Sequence, residues 1–369
     1  MDTGEDLSYR IALSLIPGVG FVHAKSLFTY FGSAKAIFKA REKTLVKVPG
    51  IGSITAGNIR NQNVLQRAEA EVEFIRRHRI KTFFYQDEAY PSRLKRCEDA
   101  PLILFAHGKA DFSANKMVAI VGTRHATDYG RRFCDEFIAG MAARGGYCVV
   151  SGLAYGIDIA SHKACLKHGV PTIGVLGHGL DQIYPSLHRP VAEKMLKEGG
   201  VVTDFLSHTE IERQNFLRRN RIIAGLTDAV VIVESAERGG ALVTADIAGS
   251  YNRDVFAVPG RATDPYSRGC NELIRQNKAG LISSLDDLEY FMSWQPEIDR
   301  PAVVQSLLFS DLTPDEQKIV DSIQEKAFSI DDICQRVIMP AAQVSSLLLG
   351  LEFSGIVLSL PGKIYKLKR

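Results

Sequence analysis

The sequence lacks what would mark an exported or membrane-bound chain. No apolar run approaches the roughly 20 residues that a spanning helix needs. The segment from Met1 to Arg10 is polar and acidic, so no export signal is expected. The six cysteines (97, 134, 148, 165, 270 and 334) include no CxxC pair and mostly sit in apolar surroundings, where a reduced thiol acts as a small hydrophobe. That pattern excludes a disulfide framework and fits a reducing cytoplasm. His and Cys lack metal-ligand spacing, and no Gly-x-Ser-x-Gly elbow supplies a nucleophile. Ala24-Lys25-Ser26 has alanine where a phosphate loop needs glycine, which excludes an ATPase motif there. A net charge of +3 is too small to identify a nucleic-acid binder, so any such reading must rest on local clusters of Lys and Arg. At 369 residues the chain is expected to form two or three soluble domains, with no metal and no cofactor.

What is present begins with Lys116-Met117-Val118-Ala119-Ile120-Val121-Gly122-Thr123-Arg124. A continuous apolar run that ends in glycine, a hydroxyl and an arginine reads as a buried parallel strand feeding a ligand loop. Further apolar runs at 147–150, 172–176, 201–205, 229–233 and 255–258 alternate with helical periodicity. This alternation predicts a Rossmann-like, doubly wound, mainly parallel sheet. Glycine-rich loops follow three of the strands: Gly122-Thr123-Arg124, Ser151-Gly152, and Gly177-His178-Gly179. Glycine lets backbone approach a ligand closely, and amides at helix starts favour anions. Gly122 lacks the GxGxxG spacing of a dinucleotide site.

The densest cationic cluster is Phe216-Leu217-Arg218-Arg219-Asn220-Arg221. With Arg213 it places four arginines within nine residues and no acid among them. On a helix, Arg218 and Arg221 share a face. Arginine forks suit phosphate oxygens, and Phe216 offers a ring on which a base can stack. The competing reading is a solvated face whose arginines pair with Glu210 and Glu212. Beyond Glu234, Arg238-Gly239-Gly240-Ala241 forms another glycine turn opening a helix.

The flanks differ from this centre. Ile16-Pro17-Gly18-Val19-Gly20 recurs as Val48-Pro49-Gly50-Ile51-Gly52, each copy followed by a helical pattern, and both resemble helix-hairpin-helix motifs. Such turns aim backbone amides at a phosphate, or serve as compact connectors or docking modules. Candidate contacts are Gly18, Gly20, Lys25, Gly50 and Gly52. At the other end, Thr313-Pro314-Asp315-Glu316 and Ser329 open two helices, 340–353 forms a third, and two strands follow around Pro361-Gly362. This arrangement resembles a winged helix. Its third helix contains no lysine or arginine, which favours protein docking over duplex binding. The expected domains are 1–75 (helix-hairpin-helix, SAM-like), 76–292 (Rossmann-like), a linker at 293–309, and 310–369 (winged helix).

Residues 80–285 carry an ordered series of motifs: VAIVGTR, VVSGLAYGID, GHGLDQIYP, FLRRNRIIAGL, the strand end at Glu234, the glycine turn before Leu242-Val243-Thr244-Ala245, VFAVPG and GCNELI. The series closely resembles the DprA/Smf (DNA-processing protein A) family, whose common architecture also has such flanking domains. The resemblance implies a non-catalytic, homodimeric single-stranded-DNA binder that protects incoming DNA and helps load the RecA recombinase during transformation. It implicates Gly122, Thr123, Arg124, Ser151, Gly152, Arg218, Arg219, Asn220, Arg221, Gly239 and Gly240. Three positions depart from the family pattern: Thr123 stands for a frequent serine, Gly239-Gly240-Ala241 for an SGS turn, and Thr203-Asp204-Phe205-Leu206 for Ser-Glu-x-Pro.

The rival reading is an enzyme related to phosphoribohydrolases. Their PGGxGTxxE loop is absent, and Thr244-Ala245-Asp246 stands where the glutamate would fall. His162 with Asp158 four residues earlier could be a base pair on one helix face. The simpler reading has Asp158 capping the helix and His162 packing inside or meeting phosphate. A helix-hairpin-helix glycosylase would have an all-helical catalytic domain, whereas this centre alternates with strands.

Overall fold

The computed structural model describes residues 4–294, 312–323, 327–354, 356–360 and 364–367, and it divides into two compact units, 1–293 and 294–369. Most of the expected linker, 295–309, and the turn at 361–363 lie outside the described residues.

The first unit opens with helices Gly4–Ser14, Phe21–Phe31, Ala34–Lys39, Glu42–Leu45, Ser53–Arg60 and Leu65–His78. The repeated turns have matching backbones. Gly18 and Gly50 take φ of 84° and 83°, where a side chain is strained. The amides of Val19 and Ile51 each donate to the carbonyl three residues back at 3.0 Å. The two hairpins also face each other. A Cβ on Gly18 would sit 3.3 Å from Thr55 Oγ1, and one on Gly50 would sit 3.4 Å from the His23 ring.

These helices share one apolar core with a nine-stranded sheet. Its strands are β1 (Lys81–Phe84), β2 (Ile103–Gly108), β3 (Lys116–Val121), β4 (Tyr147–Ser151), β5 (Thr172–Val175), β6 (Gly200–Thr203), β7 (Ala229–Ile232), β8 (Asp254–Ala257) and β9 (Gly280–Leu281). The order is β1-β2-β6-β5-β4-β3-β7-β8-β9. The seven strands from β6 to β9 run parallel, and β1 and β2 add an antiparallel margin. Phe28 joins the two parts, with ring centroids 5.1 Å from Phe84 and 5.8 Å from Tyr85. Central β3 is buried on both faces from Met117 to Val121, as its unbroken apolar run requires. The chain winds outward from β3 to β6, then returns to β7 on β3's other side. This places the topological switch, and hence the ligand crevice, beyond the carboxyl ends of β3 and β7.

One buried carboxylate fastens the helical layer to the loop after β6. Glu71 accepts from the Ser207 amide at 3.0 Å and the Ser207 hydroxyl at 2.6 Å, and pairs with Arg67 at 2.9 Å.

In the second unit, helices Pro314–Ser322, Ile330–Val337 and Ala341–Phe353 pack on β10 (Phe328–Ser329), β11 (Val357–Leu360) and β12 (Ile364–Leu367), in the order β10-β12-β11. Thr313/Glu316 and Ser329/Asp332 form capping boxes, as the sequence pattern predicts. Ile319, Ile333, Val344 and Leu348 form the core. This is the expected winged-helix arrangement. No single helix among the described residues is long and apolar enough to cross a membrane.

Replacing Glu71 with leucine strands the buried Ser207 donors. Chemical denaturation is expected to show a loss of about 2–3 kcal/mol in stability.

Candidate nucleic-acid interface

The loop after β3 is held from two sides. The Thr123 amide donates to the Glu234 carbonyl at 2.7 Å, and the Thr123 carbonyl accepts from the Ile157 amide at 3.1 Å. Gly122 is required by proximity, since a Cβ there would lie 2.8 Å from the Glu234 carbonyl oxygen and 2.5 Å from Ile157 Cγ1. Gly156, at φ 79°, would bring a Cβ to 2.0 Å from the Thr123 carbonyl oxygen. Thr123 Oγ1 accepts from the His125 amide at 3.1 Å. The loop therefore presents exposed Arg124 from a fixed backbone, with its guanidinium 5.9 Å from the Phe216 ring centroid. The buried Glu234 carboxylate is engaged below by the Thr127 amide at 2.9 Å and the Thr127 hydroxyl at 2.5 Å.

Across the crevice, Gly239 is the N-cap of helix Gly240–Ser250, with no side-chain cap. The first-turn amides of such a helix lack intrahelical acceptors and carry partial positive charge. Asn220 Nδ2 donates to the Gly240 carbonyl at 3.4 Å.

Helix Arg213–Leu226 divides the arginine cluster. Arg213, Phe216, Arg219 and Asn220 line a crevice of about 660 Å³, together with Gly122, Thr123, Arg124, Arg238, Gly239, Gly240 and Asp158. Arg219 forms part of its floor. It is buried, and its Nη1 donates to the carbonyls of Gly152 and Val175 at 2.5 Å each. Burial lowers its pKa to about 10, against the attraction of Asp158. Burial likewise raises the Asp158 pKa, with Arg219 opposing the shift. The crevice thus presents three exposed arginines, Arg124, Arg213 and Arg238, with Arg219 and a single carboxylate, Asp158, buried in its floor.

Other expected contacts fall elsewhere. Ser151 is fully buried and donates to the Ile120 carbonyl at 2.6 Å. Gly152 is also buried, and a Cβ there would collide with Arg219 Nη1 at 2.1 Å. Both support the floor from below and do not line the crevice. Arg218 and Arg221 share a face, but it turns toward a different hollow, of about 460 Å³, beside Asp99 and Asp204. Arg221 pairs there with Asp204 and the Asp99 carbonyl. Asp204, which departs from the family's glutamate, retains the acid for that pair. No ion pair to Glu210 or Glu212 is found among the described residues. Gly18, Gly20, Lys25, Gly50 and Gly52 are exposed on the helical layer, outside the crevice. His125 and Tyr266 line the crevice without having been singled out from sequence, because neither belongs to a glycine or arginine cluster.

A family model described as DNA recombination-mediator protein A matches residues 81–293, and a DprA winged helix domain matches 309–363. The chain belongs to the DprA family. It is 33% identical to Protein Smf of Synechocystis over 97% of this chain and 98% of the relative. It is 36% identical to the DNA processing protein DprA of Streptococcus pneumoniae over 58% of this chain and 75% of that one. The X-ray structure of the pneumococcal DprA covers 78% of this chain and 98% of its own at a TM-score of 0.66 and 28% identity. The DNA processing protein A of Helicobacter pylori, described for its single-stranded DNA binding mode, covers 58% of this chain and 96% of its own at a TM-score of 0.53 and 26% identity.

One acid–base candidate of this DprA-family chain, His162, is sealed. His162 is fully buried, and its Nδ1 lies 2.8 Å from Thr172 Oγ1. That hydroxyl donates to the Val149 carbonyl at 3.0 Å, so it accepts from His162, whose proton sits on Nδ1. Nε2 has no partner among the described residues. Burial pushes the His162 pKa down to about 3. Asp158 does not cap its helix, because Gly156 is the N-cap; its carboxylate instead accepts from the Ala154 amide at 3.4 Å. Burial raises the thiols of Cys134, Cys148 and Cys270 to about 12.

Because the unfolded chain protonates His162 near 6.5 and the folded chain only near 3, its contribution to stability is complete above pH 6.5 and is lost as pH falls toward 3. The limit is about 1.4 kcal/mol per pH unit. Stability measured by denaturant between pH 6 and 4 is expected to fall less steeply for His162→Gln than for the native chain.

Proposed function

We propose that this chain binds single-stranded DNA in the crevice beyond β3 and β7, protects it, and passes it to a RecA-type recombinase without cleaving it. The observation that carries this reading is the convergence of Arg124, Arg213 and Arg238 with the N-terminus of helix Gly240–Ser250 at the Gly239 turn, beside the Phe216 ring. The guanidinium groups and amides suit successive phosphates. The ring suits an unpaired base. Thr123 keeps a hydroxyl within this set, and Gly239 and Gly240 contribute main-chain donors. The Helicobacter relative, described for its single-stranded DNA binding mode, supports the same use of the fold, and the pneumococcal relative supports a role in DNA processing. Neither a metal nor a cofactor is invoked, and the reaction proposed is binding alone. The burial of His162 and of Cys134, Cys148 and Cys270 favours this reading over a phosphoribohydrolase-type activity. The name recombination mediator supports the transfer to RecA. The setting proposed for this activity is the cytoplasm.

In gel shifts at moderate salt, the chain is expected to retard single strands at lower concentration than duplex of equal length, with affinity falling steeply as salt rises. Arg124→Ala is expected to weaken single-strand binding at least tenfold while leaving the melting temperature unchanged. Equal affinity for duplex, or an unaffected Arg124→Ala variant, contradicts the reading.

The homodimer belongs to the same proposal. Strand β9 is an open edge of the sheet, and next to it Leu281, Tyr290 and Phe291 are 47%, 68% and 54% exposed. Large apolar side chains grouped at a sheet margin suit a covering partner. Phe291→Glu is expected to convert a dimer to a monomer in sedimentation, with the fold retained. A native chain that sediments as a monomer contradicts it.

A further inference from the structure

Arg124 and His125 are neighbours in one fixed loop, yet their side chains meet different aromatic residues of the crevice lining. Arg124 reaches toward Phe216, whose ring lies 5.8 Å from that of Tyr184. His125 lies against Tyr266 instead, with ring centroids 6.0 Å apart and planes inclined by 25°. This second pair is well anchored. The His125 amide is tied to Thr123 Oγ1. The Tyr266 carbonyl accepts from the Ser235 amide at 2.6 Å, and the Ser235 carbonyl accepts from Gly269 at 2.9 Å, which fixes the Tyr266 segment to the end of β7. Both rings line the crevice, His125 exposed and Tyr266 half-buried. The first-turn residues Gly240, Ala241 and Val243 of helix Gly240–Ser250 line the same space.

We propose that His125 and Tyr266 form a second base-stacking platform, which takes an unpaired base of the strand whose neighbouring base stacks on Phe216. The inference rests on the single-stranded-DNA reading and names how that site selects its substrate. A phosphate held over the glycine turn leaves the two flanking bases to part toward these two aromatic sites. Paired bases in a duplex cannot part in this way, so the two platforms discriminate against duplex where arginines alone would accept either form. Stacking on an aromatic face is tolerant of base identity, so the platform adds affinity for any single strand and little sequence preference.

The test uses the full chain and two oligonucleotides of equal length, one of thymidines and one with abasic sugars throughout. Tyr266→Ala is expected to weaken binding to the thymidine strand about tenfold, within the range for one base–aromatic stack, and to leave binding to the abasic strand at the native level. Tyr266→Phe, which keeps the π face, is expected to restore the thymidine strand's affinity. Equal loss on both strands, or no loss on either, overturns the platform. So does failure of Tyr266→Phe to restore binding in a chain that melts at the native temperature. Arg124→Ala separates this outcome from failure of the underlying reading, because it is expected to weaken both strands. If both strands bind Arg124→Ala at the native level, the crevice itself is not the site.

Discussion

The structure depends on the clamp at the carboxyl end of β3. Thr123 gives its amide to the Glu234 carbonyl and its carbonyl to the Ile157 amide, so three segments distant in sequence are tied at one residue. Gly122 and Gly156 make the approach possible. Each hydrogen bond contributes only about 1 kcal/mol net. The geometric effect is larger. The clamp sets the direction of Arg124 and His125 before any ligand arrives, and a loop already ordered loses less entropy on binding.

Beneath the clamp lies Arg219, a cation on two strand-end carbonyls close to a buried carboxylate. Burying such charges is costly unless each is well partnered. The arrangement therefore reads as a device for holding β4 and β5 at a set distance below the crevice, and as a source of positive potential under it. The exposed arginines above are free to meet a ligand. The division of labour runs through helix Arg213–Leu226, which sends one arginine inward to support the floor and others outward to the crevice or to the Asp204 hollow.

Much of this was legible in the sequence. The run Met117 to Val121 has no polar break and could only be a strand covered on both faces. The glycine turns, the arginine helix and the capping boxes of the second unit were likewise local patterns, set by dihedral preference and periodicity. Ser151, Gly152, Arg218 and Arg221 were read as ligand contacts because residue type and order cannot distinguish a floor from a lining. A glycine that admits a guanidinium beneath a site looks the same in sequence as one that admits a phosphate above it.

Sequence alone determined the family, the alternation that makes a doubly wound sheet, and the spacing that puts Arg218 and Arg221 on one helical face. Which face meets the crevice was decided only by tertiary structure, because a 3.6-residue period sets relative and not absolute direction. The rotation of helix Arg213–Leu226 buries Ile222, Ile223 and Leu226 and seats Arg219 on the carbonyls of Gly152 and Val175. The meeting of His125 with Tyr266 was decided the same way, through the hydrogen bonds that fix both segments to the ends of β3 and β7.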